Sequence, residues 1–360
     1  MTLRQDVRFC TAADGTRIAV ASIGAGPPLV RASHWLSHVE HDLESPVWRP
    51  WLRELSRDRT YIRYDQRGSG LSDRAFDRFS LDVWVRDLET VVDALDLERF
   101  PLFGMSQGGA IAIEYIRRHP ERVSHLVLVG AYARGTLRRH PTQEQRLEAE
   151  TLVNMIRVGW GSENAAFRQV FTNRFIPGGT VEQHRWWTEL QQLTASPEGA
   201  ARTLETFHQV DVTETAAQIR VPTLVMHARD DIAVPFEEGR RLAATIPGAR
   251  FIELASANHV LLDGEPAWPI FLDALRAFLA PPASPTAEPS STLGNYALTV
   301  AEAAVLELMA RGMDNHAIAK QLAKSEKTVR NQVSTIFDKL GVRTRAEAIV
   351  QAIGRRPPGA

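Results

Sequence analysis

Short apolar runs rich in β-branched residues alternate with amphipathic stretches through the first 280 residues, and no feature constrains the fold more. The runs TRIAVASI, PPLVRAS, RTYIRYD, PLFGMS, SHLVLVGA, VPTLVMHA and ARFIEL read as strands. Between them, WRPWLRELSRD, LDVWVRDLETVVDALD, GGAIAIEYIRRHP, PFEEGRRLAATI and WPIFLDALRAFLA carry apolar residues at i, i+3 and i+4 and read as helices. Strands joined through helices pair in parallel, because each crossover must traverse a face of the sheet. The alternation therefore predicts an α/β domain with a mostly parallel sheet covered on both faces. Asp14-Gly15 is a hairpin signal and adds an antiparallel edge. From Tyr132 to Gln209 the rhythm turns helical and aromatic, which predicts a helical cap over about 132–210 above one end of the sheet.

The alternation stops after Leu279. Four prolines fall between Pro281 and Pro289, and nothing apolar repeats at either period, so 281–296 reads as a solvated, semi-extended linker. It separates a domain over 1–280 from one over 297–354. In the second, Thr299…Glu302 and Thr344…Glu347 fit the capping box, and Gly312 and Gly341 sit where glycines stop helices. Val329, Val333, Ile336 and Leu340 form one apolar stripe. The prediction is a small all-α domain of four short helices.

Composition separates the two parts further. All four lysines lie between Lys320 and Lys339, whereas all eight tryptophans lie at or before Trp268. Residues 297–360 hold ten Lys and Arg against six Asp and Glu, within a chain of net charge −1. A small basic end on an acidic body points to separate partners, with nucleic acid the expectation for the basic end. Cys10 is the only cysteine, which excludes an intrachain disulfide and a cysteine-based zinc site. The opening residues lack the apolar run of a signal peptide and no 18-residue apolar stretch occurs, so the expectation is a cytoplasmic protein with no membrane partner.

Gly104-Met105-Ser106-Gln107-Gly108 places a serine between an apolar strand and a helical run. A sharp strand-to-helix turn needs small neighbours and lifts the hydroxyl above the sheet edge, with the helix N-terminus aimed at developing negative charge. A serine nucleophile needs a base, and the base an orienting acid. Asp231 and His259 follow two later strands in the order Ser, Asp, His, with Asp230 as the competing acid. His34, His38 and His41 lie close together, and pocket-lining or hydrogen-bonded loop roles are the expectation over metal ligation. Phe167, Phe171, Phe175, Trp186 and Trp187 stand either for cap core or for pocket lining. No metal or cofactor motif is expected.

The segments YDQRGSGLSD, GMSQGG, RRHPERVSHLVLVGA, HARDDIAVP and ANHVLLDGEP stand in one order across residues 5–280, and this region resembles the α/β-hydrolase superfamily. The spacing from Asp231 to Pro235 resembles the acid loop of that family. The resemblance implies catalytic Ser106, Asp231 and His259, with an oxyanion hole from the backbone N–H groups of Gln107 and Trp35. The chain departs from the family where Ser33-His34 replaces His-Gly, which implies an altered oxyanion hole.

The unbroken segment LTVAEAAVLELMARGMDNHAIAKQLAKSEKTVRNQVSTIFDKLGVRTRAEAIV resembles the LuxR-type helix-turn-helix. Ile318, Leu322, Val329 and Val333 would hold its two central helices together, leaving the other face of the second for the DNA major groove. Lys320, Lys327 and Thr328 suit phosphates, and Arg330, Asn331 and Ser334 suit base edges. Gln332 stands where the family usually has histidine. The resemblance implies double-stranded DNA with paired half-sites as partner, and a homodimer through the last helix, RAEAIVQAI. Together the two parts imply a regulator whose hydrolase-fold domain senses a small acyl, ester or lactone ligand and hydrolyses it. The alternatives are a hydrolase that DNA binding only localises and a receptor without chemistry.

Overall fold

A computed structural model describes residues 3–74, 78–280 and 300–348, less 323, 341, 343 and 346. The chain forms two compact units, Met1–Ala280 and Pro281–Ala360. The proposed linker over 281–296 lies outside the described residues.

The first unit is built on one eight-stranded sheet in the order β1-β2-β4-β3-β5-β6-β7-β8. Its strands are β1 (Gln5–Thr11), β2 (Arg17–Ile23), β3 (Pro28–Arg31), β4 (Thr60–Tyr64), β5 (Phe100–Met105), β6 (Val123–Val129), β7 (Thr223–Ala228) and β8 (Arg250–Leu254). β1 and β2 form the antiparallel hairpin, β2 pairs antiparallel with β4, and every later pairing is parallel. The mostly parallel sheet with an antiparallel edge is thus the one the alternation predicts.

The two-residue period of a strand splits its side chains between two cores. Phe103, Met105, Val127, Val129, Leu224 and Met226 join a tryptophan-rich core with α1 (Trp48–Leu55) and α10 (Ala267–Leu279). Leu102, Leu126, Leu128 and Val225 face the other core, with α2 (Leu81–Ala94), α3 (Gly108–Arg118), α8 (Thr213–Ala216) and α9 (Phe236–Thr245). Central strands buried on both faces read as continuous apolar runs for this reason.

Four helices fill the aromatic stretch: α4 (Gln143–Gly159), α5 (Ala166–Phe175), α6 (Val181–Thr194) and α7 (Pro197–Gln209). Capping boxes at Thr142/Gln145 and Thr180/Gln183 start α4 and α6, satisfying backbone donors that a helix start leaves free. The cap joins the first core through Trp160, Phe171, Trp186 and Trp187, all buried.

The second unit contains α11 (Val300–Ala310), α12 (Asn315–Gln321) and α13 (Glu326–Leu340). The predicted stripe Val329, Val333, Ile336 and Leu340 is buried against Val305, Met309 and Ile318. The chain turns at Gly312, at φ +82°, and Asp314 caps α12. Thr344 accepts from the Glu347 N–H at 3.2 Å, so the second expected capping bond forms, whereas Thr299 and Gly341 lie outside the described residues. Beyond Ala348 the segment assigned to dimer contact also lies outside them.

Candidate active site and candidate nucleic-acid interface

Ser106 follows β5 and sits at φ 52°, a left-handed conformation that costs a non-glycine residue about 1–2 kcal/mol. Its N–H donates to the Val129 carbonyl at 3.0 Å, which pins the turn to the next strand. A Cβ on Gly108, at the start of α3, would stand 2.8 Å from the Ser33 carbonyl oxygen. Only glycine lets the helix and the loop after β3 approach so closely. That approach carries Trp35 to the cavity that Ser106 and Gln107 line.

The left-handed residue of the loop is Leu36, at φ 66°, and His34 has no positive φ. Replacing the expected glycine with His34 therefore imposes no left-handed strain at that position. The imidazole is buried, stacks on Trp48 with centroids 5.1 Å apart, and its Nδ1 lies 2.6 Å from the Trp35 carbonyl. A carbonyl only accepts, so Nδ1 carries the proton. Burial, with Arg31 nearby, pushes the His34 pKa well below the ordinary histidine value.

Asp231 follows β7 and His259 follows β8, both buried, and the His259 Nδ1–H donates to Asp231 Oδ2 at 2.6 Å. The other carboxylate oxygen accepts from the N–H groups of Ala233 and Val234 at 2.8 and 3.0 Å. Burial raises the pKa of Asp231, but the adjoining His259, with His227 and the Val234 N–H, outweighs it and holds the carboxyl below the usual range. A carboxylate on Nδ1 leaves the His259 Nε2 lone pair available as a base. Nε2 is buried and has no hydrogen-bond partner among the described residues, while His259 and Ser106 line the same narrow cleft. Asp230, the competing acid, is exposed.

Two supports for His259 come from elsewhere in the chain. Gly130, at φ +56°, ends the run of β6, and a Cβ there would stand 2.9 Å from His259 Cε1. The cap also grips the histidine loop. The Val260 N–H donates to the Phe175 carbonyl at 3.1 Å, and the Phe175 ring lies 5.5 Å from the His259 ring. His227, the first residue of HARDDIAVP, lies 3.5 Å from Asp231 and bonds the Val234 carbonyl at 3.0 Å, closing the acid loop.

Above Ser106 lies a cavity of about 400 Å³ between the cap and the sheet. Phe171 and Phe175 line it while also packing in or against the core, so both readings of these residues hold together. Trp187 lines the narrow cleft, Trp186 stacks on His41 at 4.7 Å, and Phe167 packs over Gly159. His38 Nδ1 accepts from the His41 N–H at 3.2 Å, so the His38 side chain serves loop structure. Among the described residues no cluster of His, Cys, Asp and Glu could hold a metal ion.

In the second unit Lys320, Lys327, Thr328, Arg330, Asn331 and Ser334 are all exposed. Those on α13 lie opposite its buried stripe, as spacings of three and four along a helix require. Ser325, which no sequence argument singled out, starts this helix. Its Oγ accepts from the Thr328 N–H at 3.1 Å and lies 2.8 Å from Thr328 Oγ1, so that hydroxyl also serves the cap. Gln332 accepts from Lys324 at 3.2 Å.

The model of the alpha/beta hydrolase fold matches residues 40–266, and that of the bacterial regulatory proteins of the luxR family matches 296–352. The chain belongs to the α/β hydrolase fold family and carries a C-terminal luxR-family domain. It is similar to the AB hydrolase superfamily protein YisY of Bacillus subtilis, at 29% identity over 67% of this chain and 87% of that protein. The non-heme chloroperoxidase CPO-A1 of Kitasatospora aureofaciens is 28% identical over 70% of this chain and 91% of its own. Among solved structures, an esterase from Exiguobacterium antarcticum superposes with a TM-score of 0.64 at 26% identity, covering 75% of this chain and 98% of its own. No helix among the described residues is long and apolar enough to cross a membrane.

Proposed function

We propose that this chain is a DNA-binding transcriptional regulator whose hydrolase-fold domain binds and hydrolyses a small acyl compound, an ester, thioester, lactone or amide, with Ser106 as nucleophile. The observation that carries this reading is the joint placement of three groups: Ser106 on a strained left-handed turn, His259 with Nε2 unpartnered in the same cleft, and ionised Asp231 on its Nδ1. Strain of this kind persists where function needs it.

In this mechanism His259 Nε2 takes the Ser106 proton as Oγ attacks the carbonyl carbon. The oxyanion then faces the N–H groups of Gln107 and Trp35, and His259 returns the proton to the leaving group as the acyl-enzyme forms. Water, deprotonated by His259, releases the acid and restores Ser106. Occupancy of the cavity biases DNA binding by the luxR-family domain, which acts as a cytoplasmic homodimer on paired half-sites of double-stranded DNA. Phosphates meet Lys320, Lys327 and Thr328, and bases meet Arg330, Asn331 and Ser334.

Intact mass after exposure to a fluorophosphonate tests the nucleophile. The expected result is a single adduct on the wild type and none on Ser106→Ala. An unlabelled wild type, shown to be folded, leaves a receptor without chemistry, a reading that His34 in place of the family's glycine would then support.

A further inference from the structure

The cavity above Ser106 is apolar on the sides formed by Trp35, Phe171 and Phe175, yet Arg139 also lines it. The side chain of Arg139 is only 15% exposed. Its plane is held on the Tyr132 ring, 5.0 Å from the centroid, and its Nε donates to the Arg134 carbonyl at 2.8 Å. Among the described residues neither Nη has a hydrogen-bond partner.

The nearest carboxylate does not neutralise this cation alone. Glu238 approaches Arg139 only to 3.7 Å, while it binds Arg134 at 2.7 Å and lies 3.9 Å from Arg241. One negative charge is therefore divided among three guanidinium groups. The cavity's other arginine, Arg174, is already paired with Glu148 at 2.9 Å. Burial also lowers the Arg139 pKa from its ordinary value, the cost that a bound anion would relieve. A guanidinium with two free donor groups in one plane matches a carboxylate bidentately, and a low-dielectric wall strengthens the contact.

We infer that the ligand of this cavity is an acyl compound that also carries a free carboxylate, with the carboxylate on the Nη groups of Arg139 and the acyl carbon at Ser106. This rests on the reading of the cavity as the ligand site but not on turnover. The charge pattern sets the ligand's class and not its length, which the volume of about 400 Å³ limits to a small molecule.

The test compares p-nitrophenyl hydrogen glutarate with p-nitrophenyl valerate, its uncharged counterpart of equal carbon count, on the full chain. With wild type, kcat/KM for the charged ester should exceed that for the neutral one by about tenfold or more, and Arg139→Gln should erase that ratio. Arg139→Lys keeps the charge without the fork and should retain part of the preference; it also serves if the glutamine variant fails to fold. Binding of both esters to Ser106→Ala, where no acyl transfer intervenes, separates the two claims. Tighter binding of the charged ester there, lost on Arg139→Gln, upholds the carboxylate site even if wild type hydrolyses neither ester. Equal binding of the two esters, or binding of neither at millimolar concentration, overturns the inference whatever the turnover.

Discussion

The hydrolase-fold domain and the luxR-family domain assemble their candidate sites in opposite ways. In the first, Ser106, Asp231 and His259 come from the ends of three strands, and the acid and base are buried and locked to each other at 2.6 Å. In the second, the residues proposed to contact DNA, from Lys327 to Ser334, are neighbours in sequence and exposed, carried on one helix. A buried site spends folding energy on desolvation and strain, so its residues bear on stability, and Asp231 is held below the usual carboxylate range. An exposed face has neither cost, and its residues can change with little consequence until DNA arrives. The two regions therefore differ in what a substitution disturbs.

Substitutions on α12 and α13 give the largest expected effect of binding alone. Arg330→Ala should weaken binding to a preferred duplex by about 1–3 kcal/mol and relax specificity at one position, while the thermal midpoint stays put. Lys320→Ala should weaken all duplexes alike and lower the slope of log affinity against log salt by about 1. Equal loss by both variants on every sequence would remove the division between base and phosphate contacts.

The buried region should show the opposite behaviour with pH. His208 lines the cavity above Ser106, and burial, with Arg139 and Arg174 nearby, pushes its pKa down to about 4. Below pH 6.5 the unfolded chain protonates this group while the folded chain keeps it neutral, so its contribution falls as pH drops from 6.5 toward 4. Between pH 6.5 and 5, wild type should lose about 2 kcal/mol more than His208→Asn in denaturant titrations. Parallel stability curves for the two proteins would show that His208 is not held neutral.

Strain gives the smallest effect. Ser106→Gly should raise stability by about 1 kcal/mol by releasing the left-handed backbone, less the entropy that glycine costs. No exposed residue of α13 offers a comparable gain from glycine, which in a helix interior should cost about that much. An unchanged or lowered midpoint for Ser106→Gly would argue that the turn stores no strain.

The comparison also explains what was legible in the sequence. The sheet, the two cores and the α13 stripe follow from periodicity, because local patterns fix which face is buried. Ser106 was legible through the small residues its turn demands, and Asp231 and His259 through their places after two later strands. The roles of Gly130 and Arg139 were not. Gly130 closes a strand that the pattern shows, but the pattern does not show that its missing side chain makes room for His259. Arg139 gains its place only where the segment before α4 packs against Tyr132 and nears Glu238. The same limit applied to His34: the loss of a glycine was visible, but not that the left-handed step falls on Leu36. Phe171 stood for either core or pocket, and a helix that roofs a cavity makes it both.

The central claim is that a hydrolase-type site governs a DNA-binding domain, and covalent occupancy of Ser106 tests it most directly. The full chain would be labelled to completion with a fluorophosphonate, and its Kd measured against a duplex that the unlabelled chain selects from a random pool. Unlabelled chain and reagent-treated Ser106→Ala serve as controls. The account predicts that the adduct shifts the Kd by about fivefold or more in one direction, with the treated variant unmoved. An identical Kd for labelled and unlabelled chain would contradict it and leave two activities on one polypeptide.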